Sequence, residues 1–469
     1  MATLRFLQLP AGCAIATTAY LLGVCFIGNQ DFANAFAHRH HYRPRTTPRP
    51  CGKDLVVARD RRPVRHRHER RSPRTISRSS PSDGENNDPD ATPPTVLCAG
   101  ETLWDSLPSG MYLGGAPSNV AVHLASLFRS LPSEEDSSSS DDDGRPTVAV
   151  AACVGDDQLG REARRRLALR EVRTDYLQLH SGWETGMATA ILDENGDATY
   201  EFNTPAAWDG LRMDGRLLAS MQRSDDEGDT VQSAATRAFV MGTIAARLGN
   251  NQGATSSSTL ASIRNDAPEG TVVLDVNLRS PWYAPEPVLE LARGRASEGE
   301  GMSEKKLALL KLNEEELCVL EHWCDTKGEG EWWCELKEDD DEDGLKGSVL
   351  KLRMERLATE LNTRRVCVTR GKDGAALLCK GVGDDDDDVF CENSGYVSTS
   401  SSADGDTVGA GDAFLAALVC SLLVQNESAE RALERACALG GYVAGCRGAT
   451  PEHGDAPKEL RHIFSESII

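Results

Sequence analysis

The residues of this chain best placed to do chemistry run Asp404-Gly405-Asp406-Thr407-Val408-Gly409-Ala410-Gly411-Asp412, followed at once by Ala413-Phe414-Leu415-Ala416-Ala417-Leu418-Val419. Small residues lead straight into a strongly apolar helix, so the amides of Gly409, Ala410 and Gly411 are unpaired donors at a positive helix end. Such a turn binds an anion, and phosphate is the obvious candidate. Asp412, in the first turn, is a carboxylate that could accept a proton from a hydroxyl nucleophile. The alternative is an acid that merely caps its helix. No G-x-x-x-x-G-K-[ST] occurs, which disfavours a P-loop nucleotidase, and no G-x-G-x-x-G follows a strand pattern, which weakens a dinucleotide-dependent dehydrogenase.

The elements that must position this turn are short apolar runs alternating with helical patterns. The runs are Thr95 to Gly100, Val148 to Cys153, Ala238 to Gly242, Val272 to Asp275, Leu307 to Leu312 and Val366 to Thr369; helical patterns include Asn119 to Phe128, Gly160 to Arg170 and Met354 to Leu361. Continuously apolar strands alternating with helices predict an α/β fold with a mostly parallel sheet covered on both faces, whose binding chemistry collects at the carboxyl ends of the strands. One stretch departs from that rhythm. Met187 to Leu192 and Ala198 to Phe202 flank Asp193-Glu194-Asn195-Gly196-Asp197, and the alternation with an Asn-Gly turn predicts a hairpin, read as a small lid. Segments 131–146, 222–236, 249–268, 325–348 and 383–389 are acidic, Ser-rich or Gly-rich and are read as solvated loop insertions into one domain spanning 95–469.

Charge divides the chain. The total is -22, yet residues 1–80 hold 15 Lys+Arg against 4 Asp+Glu, a net of +11, leaving -33 on the rest. An acidic body argues against nucleic acid as a partner, because binding a polyanion needs Lys and Arg against phosphates. Residues 1–35 have a secretory-signal layout, with Arg5 ahead of the apolar run Ala11 to Gly28 and Ala33-Asn34-Ala35 as a cleavage site; a weakly hydrophobic membrane anchor is the competing reading. Residues 36–80 are rich in Arg, His, Pro and Ser, and 81–94 form a linker. A signal followed by a transit-like stretch beginning at Phe36 resembles the bipartite presequences of secondary plastids, with a disordered basic tail as the bland alternative and the secretory pathway as the other destination. No stable membrane anchor is expected in the mature form. The 14 cysteines show no zinc spacing and fall singly in apolar runs (Cys98, Cys153, Cys367, Cys420, Cys437), as buried free thiols do.

The block Asp406-Thr407-x-Gly409-Ala410-Gly411-Asp412 resembles the second signature of the PfkB (ribokinase-like) carbohydrate kinases, and Gly114-Gly115-Ala116-Pro117-Ser118-Asn119-Val120-Ala121 resembles the first. Val154-Gly155-Asp156-Asp157-x-x-Gly160, Asp275-Val276-Asn277-Leu278-Arg279, Asn313-Glu314-Glu315-Glu316 and Val368 to Gly374 follow in the family's order over roughly 95–464. The resemblance implies a three-layer αβα sandwich with a small β-hairpin lid, and ATP-dependent transfer of a phosphoryl group to a sugar hydroxyl. It makes Asp412 the catalytic base and Gly409, Ala410 and Gly411 the anion hole. Asn313 and Glu316 match the N-x-x-E motif that positions Mg²⁺ and its waters, Glu316 acting through water. Thr369, Gly371 and Gly374 fall on the nucleotide side, with small residues from Ala436 to Gly440 beside the adenine.

Asp105, Gly114, Gly115 and Asn119 match the sugar wall, against the plainer readings of a turn acid, a turn and a helix-start residue. Asp406 with the carbonyls of Val408, Val443, Cys446 and Gly448 falls where the family often holds K⁺. Gly100-Glu101-x-x-Trp104-Asp105, Tyr200-Glu201-Phe202 and Ala206-Ala207-Trp208-Asp209 look most like fructokinases, implying D-fructose to fructose 6-phosphate. One departure is that Asn203 stands where many fructokinases end the lid strand with Arg. The alternatives are a kinase for ribose, 2-keto-3-deoxygluconate or a nucleoside, and a non-catalytic plastid interaction protein. Lids in this family often meet across a homodimer.

Overall fold

The computed structural model describes residues 93–107, 110–132, 144–192, 198–221, 236–247, 255–279, 283–294, 306–324, 343–381, 387–396 and 407–465. The leader, nearly all of the linker, the Asn195-Gly196 turn and Asp406 lie outside the described residues. In chain order the elements are β1 (Val96–Ala99), β2 (Leu103–Leu107), β3 (Gly110–Gly114), α1 (Ala116–Phe128), β4 (Val148–Gly155), α2 (Gln158–Leu169), β5 (Leu177–His180), β6 (Gly186–Leu192), β7 (Ala198–Phe202), α3 (Gly215–Ser220), β8 (Ala238–Met241), α4 (Ser256–Asp266), β9 (Val272–Asp275), α5 (Pro285–Arg293), β10 (Leu309–Asn313), α6 (Glu314–Cys324), α7 (Asp343–Glu360), β11 (Arg365–Thr369), β12 (Ala375–Cys379), β13 (Val389–Asn393), α8 (Ala410–Val419), α9 (Ala429–Ala444) and α10 (Lys458–Ser465).

Nine strands form the main sheet in the order β13-β12-β11-β10-β9-β8-β1-β4-β5. Neighbours from β5 through β11 run parallel, and β12 and β13 extend the edge antiparallel. Alternation along each strand explains the unbroken apolar runs. Val96 and Cys98 enter one core with α1, α8 and α9, whereas Leu97 and Ala99 enter a second with α4, α5 and α7. A strand with helices on both faces has no solvent side on which to place polar residues. This is the three-layer sandwich expected.

The lid is larger than the expected hairpin. β6 and β7 pair antiparallel, but β2 and β3 join them in a four-stranded sheet ordered β3-β2-β6-β7. Leu103-Trp104-Asp105-Ser106-Leu107 is short and carries an acid, so its strand character comes from pairing with neighbours and leaves little pattern. A small core of Leu103, Ala188, Ala206 and Trp208 holds this sheet. Gly186 has no side chain because a Cβ there would run into the Trp208 ring.

Three of the expected insertions are partly structure. Segment 249–268 carries α4, whose Leu260 and Ile263 are buried in the second core. Ser256-Ser257-Ser258-Thr259 makes its start look like a loop, yet Ser256 and Thr259 are themselves buried and Thr259 Oγ1 donates to Leu211 O at 3.0 Å. The end of 325–348 belongs to α7, and the end of 383–389 opens β13. Residues 133–143, 222–235, 325–342 and 382–386 lie outside the described residues.

Cys98, Cys153, Cys367, Cys420 and Cys437 are buried free thiols. Burial pushes the Cys153, Cys420 and Cys437 thiols up to about 12, so they pack as apolar groups. Among the described residues no helix is long and apolar enough to cross a membrane.

Candidate active site

The glycine turn sits where the first core meets the carboxyl ends of the strands. Gly409 is the N-cap of α8 at φ 78°, a left-handed conformation that favours glycine. A Cβ there would lie 2.5 Å from Ala449 Cα, so the turn is wedged against the loop that follows α9. Among the described residues no side chain caps α8. The Asp412 carboxylate does not turn back on its own helix, because its Oδ2 accepts a 2.8 Å hydrogen bond from Asn119 Nδ2, 293 residues away in sequence. The capping alternative therefore gives way: this acid reaches across to α1.

Asn119 is delivered by a tightly built α1 start. Gly115, at φ 100°, is the N-cap and lies against the Glu101 carbonyl too closely for any side chain. Glu101 Oε1 accepts the Ala116 amide at 2.9 Å, and Thr102 and Ser118 share a 2.7 Å hydroxyl contact. Gly114 ends β3, and a Cβ on it would strike the carboxylate of Asp105 on β2. Asp105, Gly114, Gly115, Asn119 and Asp412, spread through the sequence, thus form one connected corner. Asn119 stands in it as the partner of the acid and not only as wall.

Burial sets the electrostatics. Asp412 is 9% exposed and its carboxyl is pushed up to about 6, by desolvation first and by Asp275 next; Asn119, Lys311 and Arg279 pull the other way. It is ionised at neutral pH yet holds a proton far better than an ordinary Asp, which is what a proton acceptor needs. Glu101 is pushed up to about 7 by burial, and its Oε2 has no hydrogen-bond partner.

Asn313 and Thr369 are register partners at the carboxyl ends of β10 and β11. Asn313 Oδ1 accepts the Glu316 amide at 2.8 Å, while Glu316 Oε2 accepts the Asn313 amide at 2.9 Å and Oε1 accepts the Leu278 amide at 2.8 Å. This reciprocal pair is a capping box for α6. Both Glu316 oxygens are committed to backbone and the side chain is buried, so it fits a metal held through water and not by direct ligation. Among the described residues no group of three or more His, Cys, Asp or Glu converges as a metal cluster.

Gly371 is exposed at φ 56° with open space around it. Gly374, at φ 85°, is required by the backbone of Asn393 and Gly395 packed against it. The Ala436 to Gly440 stretch lies on α9. Ala436, Cys437, Ala438 and Leu439 are core residues, and Gly440 lets α9 approach Ala410 and Phe414 of α8 closely. Of the expected cation loop, Val443 O already accepts the Cys446 amide at 2.9 Å, and Gly448 lies beside Tyr112. Val408 joins this loop at the glycine turn through the contact of Gly409 with Ala449.

Sequence reasoning gave no individual role to five residues that shape the corner, although Glu101, Asp209 and Asp275 stand in motifs quoted above. Lys311 and Asp275 form a buried ion pair at 3.0 Å. Arg247 pairs with buried Asp209 at 2.8 Å and lies over the Trp208 ring, supporting the lid from below. Glu101 ties down α1. A lone lysine in Leu309-Leu310-Lys311-Leu312 was the one legible signal among them.

The sequence model of the pfkB family carbohydrate kinases matches residues 91–218 and 306–453, more than half of the chain. The chain belongs to the pfkB family of carbohydrate kinases. Members of this family are phosphotransferases acting on a sugar hydroxyl, and this chain is a sugar kinase with the ribokinase-like fold. It is 28% identical over 379 residues to probable fructokinase-6, chloroplastic, of Arabidopsis thaliana, covering 76% of this chain and 79% of that one. To a fructokinase of Klebsiella pneumoniae it is 26% identical over 382 residues, covering 78% and 99%. Among solved structures, the ATP-bound fructokinase of Xylella fastidiosa superposes with a TM-score of 0.51 at 18% identity, covering 76% of this kinase and 94% of that chain. The fructokinase of Vibrio cholerae with fructose, ADP and calcium gives 0.50 at 20% identity, covering 79% and 98%. These superpositions report the shared fold.

Proposed function

We propose that this sugar kinase transfers the γ-phosphate of ATP to a hydroxyl of D-fructose, giving fructose 6-phosphate and ADP. One observation carries the mechanistic part: Asp412, at the start of a helix with no side-chain cap, is hydrogen-bonded to Asn119 in the corner that Asp105 and Gly114 complete. A sugar seated on Asp105 and Asn119 presents a hydroxyl to a carboxylate already poised to take its proton. The negative charge developing on the transferred phosphoryl group lies over the amides of the Gly409 to Gly411 turn, which are held by packing and need no reorganisation. Asn313, Thr369 and Gly371 lie on the nucleotide side. Glu316 would hold magnesium carried on the nucleotide through water, and the ion would neutralise phosphate charge.

Fructose as the acceptor is supported by the fructokinase relatives at 26–28% identity and by the GE-x-x-WD and AAWD segments that build the lid. Asn203 marks the difference from the usual lid ending: its Oδ1 accepts the Met187 amide and its Nδ2 donates to Thr185 O, so it braces the lid. The full-length chain with MgATP and a panel of fructose, ribose, 2-keto-3-deoxygluconate and nucleosides, read out by ADP release, tests this reading. Fructose should give the highest kcat/KM. A different preferred acceptor moves the substrate assignment, and no turnover above an Asp412→Asn control favours a non-catalytic role.

We further propose a plastid destination, on the composition of residues 1–80 alone. Fusing that segment to a fluorescent reporter tests it, and a cytosolic distribution contradicts it.

A further inference from the structure

Lys311 has no part in the reaction as described, yet Asp275, Glu316 and Asp412 all act on it. It is the one polar residue between Leu309 and Leu312, its side chain is 8% exposed, and its Nζ lies 3.0 and 3.2 Å from the two oxygens of Asp275, itself 4% exposed. A Cβ on Gly411 would lie 3.1 Å from that Nζ, so the ammonium sits directly against the anion-binding turn.

The groups facing Asp412 come from four elements. α1 brings Asn119, the segment after β1 brings Glu101, β9 brings Asp275 with Arg279 just beyond it, and β10 brings Lys311. α6 adds Glu316, which acts on Lys311. Four carboxylates therefore crowd one corner. Backbone amides satisfy both oxygens of Glu316, and the Ala116 amide satisfies one oxygen of Glu101. Arg247 is engaged by Asp209, and Arg279 is exposed. Lys311 is the buried cation against the glycine turn. Burial alone would drive it neutral, but Asp275, Glu316 and Asp412 outweigh that and hold the ammonium above its ordinary value.

We propose that Lys311 is a positioning residue for phosphoryl transfer: tethered by Asp275, its ammonium is the counter-charge that keeps the Asp412 carboxylate ionised beside the glycine turn. A buried carboxylate left without a compensating charge takes up a proton, and a protonated Asp412 cannot accept one from the sugar. Lys311 and Asp275 act on Asp412 with opposite sign, the lysine lowering and the aspartate raising its proton affinity. This gives a signature that simple loss of an ion pair does not have.

The proposal rests on Asp412 as the base, and its test separates the two ideas. The full-length protein, Lys311→Met, Lys311→Arg and Asp275→Asn are compared by the pH profile of kcat/KM for the sugar. In parallel the carboxyl carbon of Asp412 is titrated by ¹³C NMR, assigned with Asp412→Asn. Lys311→Met should move the acid limb up by about one pH unit, roughly a fivefold loss at pH 6 that recovers by pH 8.5. Asp275→Asn should move it down, and Lys311→Arg should leave it in place. A purely structural ion pair predicts lower rates at every pH, with no shift or with both shifts in one direction; either result overturns the proposal. If Lys311→Met does not fold, an acid limb in Asp275→Asn that stays or rises overturns it equally. Absence of turnover with any sugar defeats the function proposed for Asp412, and the NMR shift then decides the role of Lys311 by itself.

Discussion

Around the start of α8, an acid, an amide and an ammonium meet where the residues are nine-tenths or more closed to water, between the carboxyl ends of long-buried strands. The lid is a thin sheet whose core is four buried residues, with Met111 on β3 44% exposed. The two regions meet at the α1 corner, through Gly114 and Asp105 on one side and Asn119 on the other. In the buried region every interaction is strong and every vacancy is costly, which suits chemistry common to all acceptors. In the lid, contacts are few and exchangeable, which suits choosing among acceptors.

Substitutions on the two sides should therefore fail differently. Asp412→Asn should lower kcat by about 10²–10⁴ for every sugar alike with ATP binding retained, because a general base is lost; a change confined to KM would break the division. Asp105→Ala removes one charged acceptor of sugar hydroxyls. It should cost about 10–100-fold in kcat/KM, mostly as KM and unequally between sugars, as steady-state kinetics on two acceptors will show. Gly186→Ala forces a Cβ into Trp208 and should loosen the lid, raising KM several-fold while leaving the main unfolding transition within a few degrees. A large drop in kcat there would show that the lid is part of the catalytic rigid body.

Stability offers a sharper and smaller contrast. The folded-state value for Asp412 is raised to about 6 from the ordinary 3.8, so the folded protein binds a proton that the unfolded chain releases. The penalty for its charge is absent below pH 4, grows as pH rises and is complete above pH 6. Asp412→Asn should then stabilise the protein by about 1–3 kcal/mol at pH 7.5 and by nothing near pH 4, measured by thermal unfolding at both values. Equal effects at the two pH values would mean that the carboxylate is not under electrostatic strain.

The parts legible in the sequence are those where one residue type serves one purpose. Gly409 is dictated by a left-handed turn pressed on Ala449, and the β1 run by two apolar faces, so both announce themselves locally. The partner of Asp412 did not, since nothing near residue 412 indicates that an amide 293 positions away will reach it. The same holds for Lys311 and Arg247, whose meaning lies in acids contributed by distant segments. β2 and β3 stayed hidden because a strand made by its neighbours carries little pattern of its own, and α4 because its serines read as loop while tertiary packing bought them a helix.

The pH dependence of sugar-stimulated ADP release between pH 5 and 9, measured on the full-length protein and on Asp412→Asn, tests the central claim most directly. The account predicts an acid limb near pH 6 in the wild type, falling tenfold per pH unit below it, and a residual rate in the variant that lacks this limb. A limb that persists unchanged in Asp412→Asn, or a wild-type rate flat through pH 6, would contradict Asp412 as the proton acceptor.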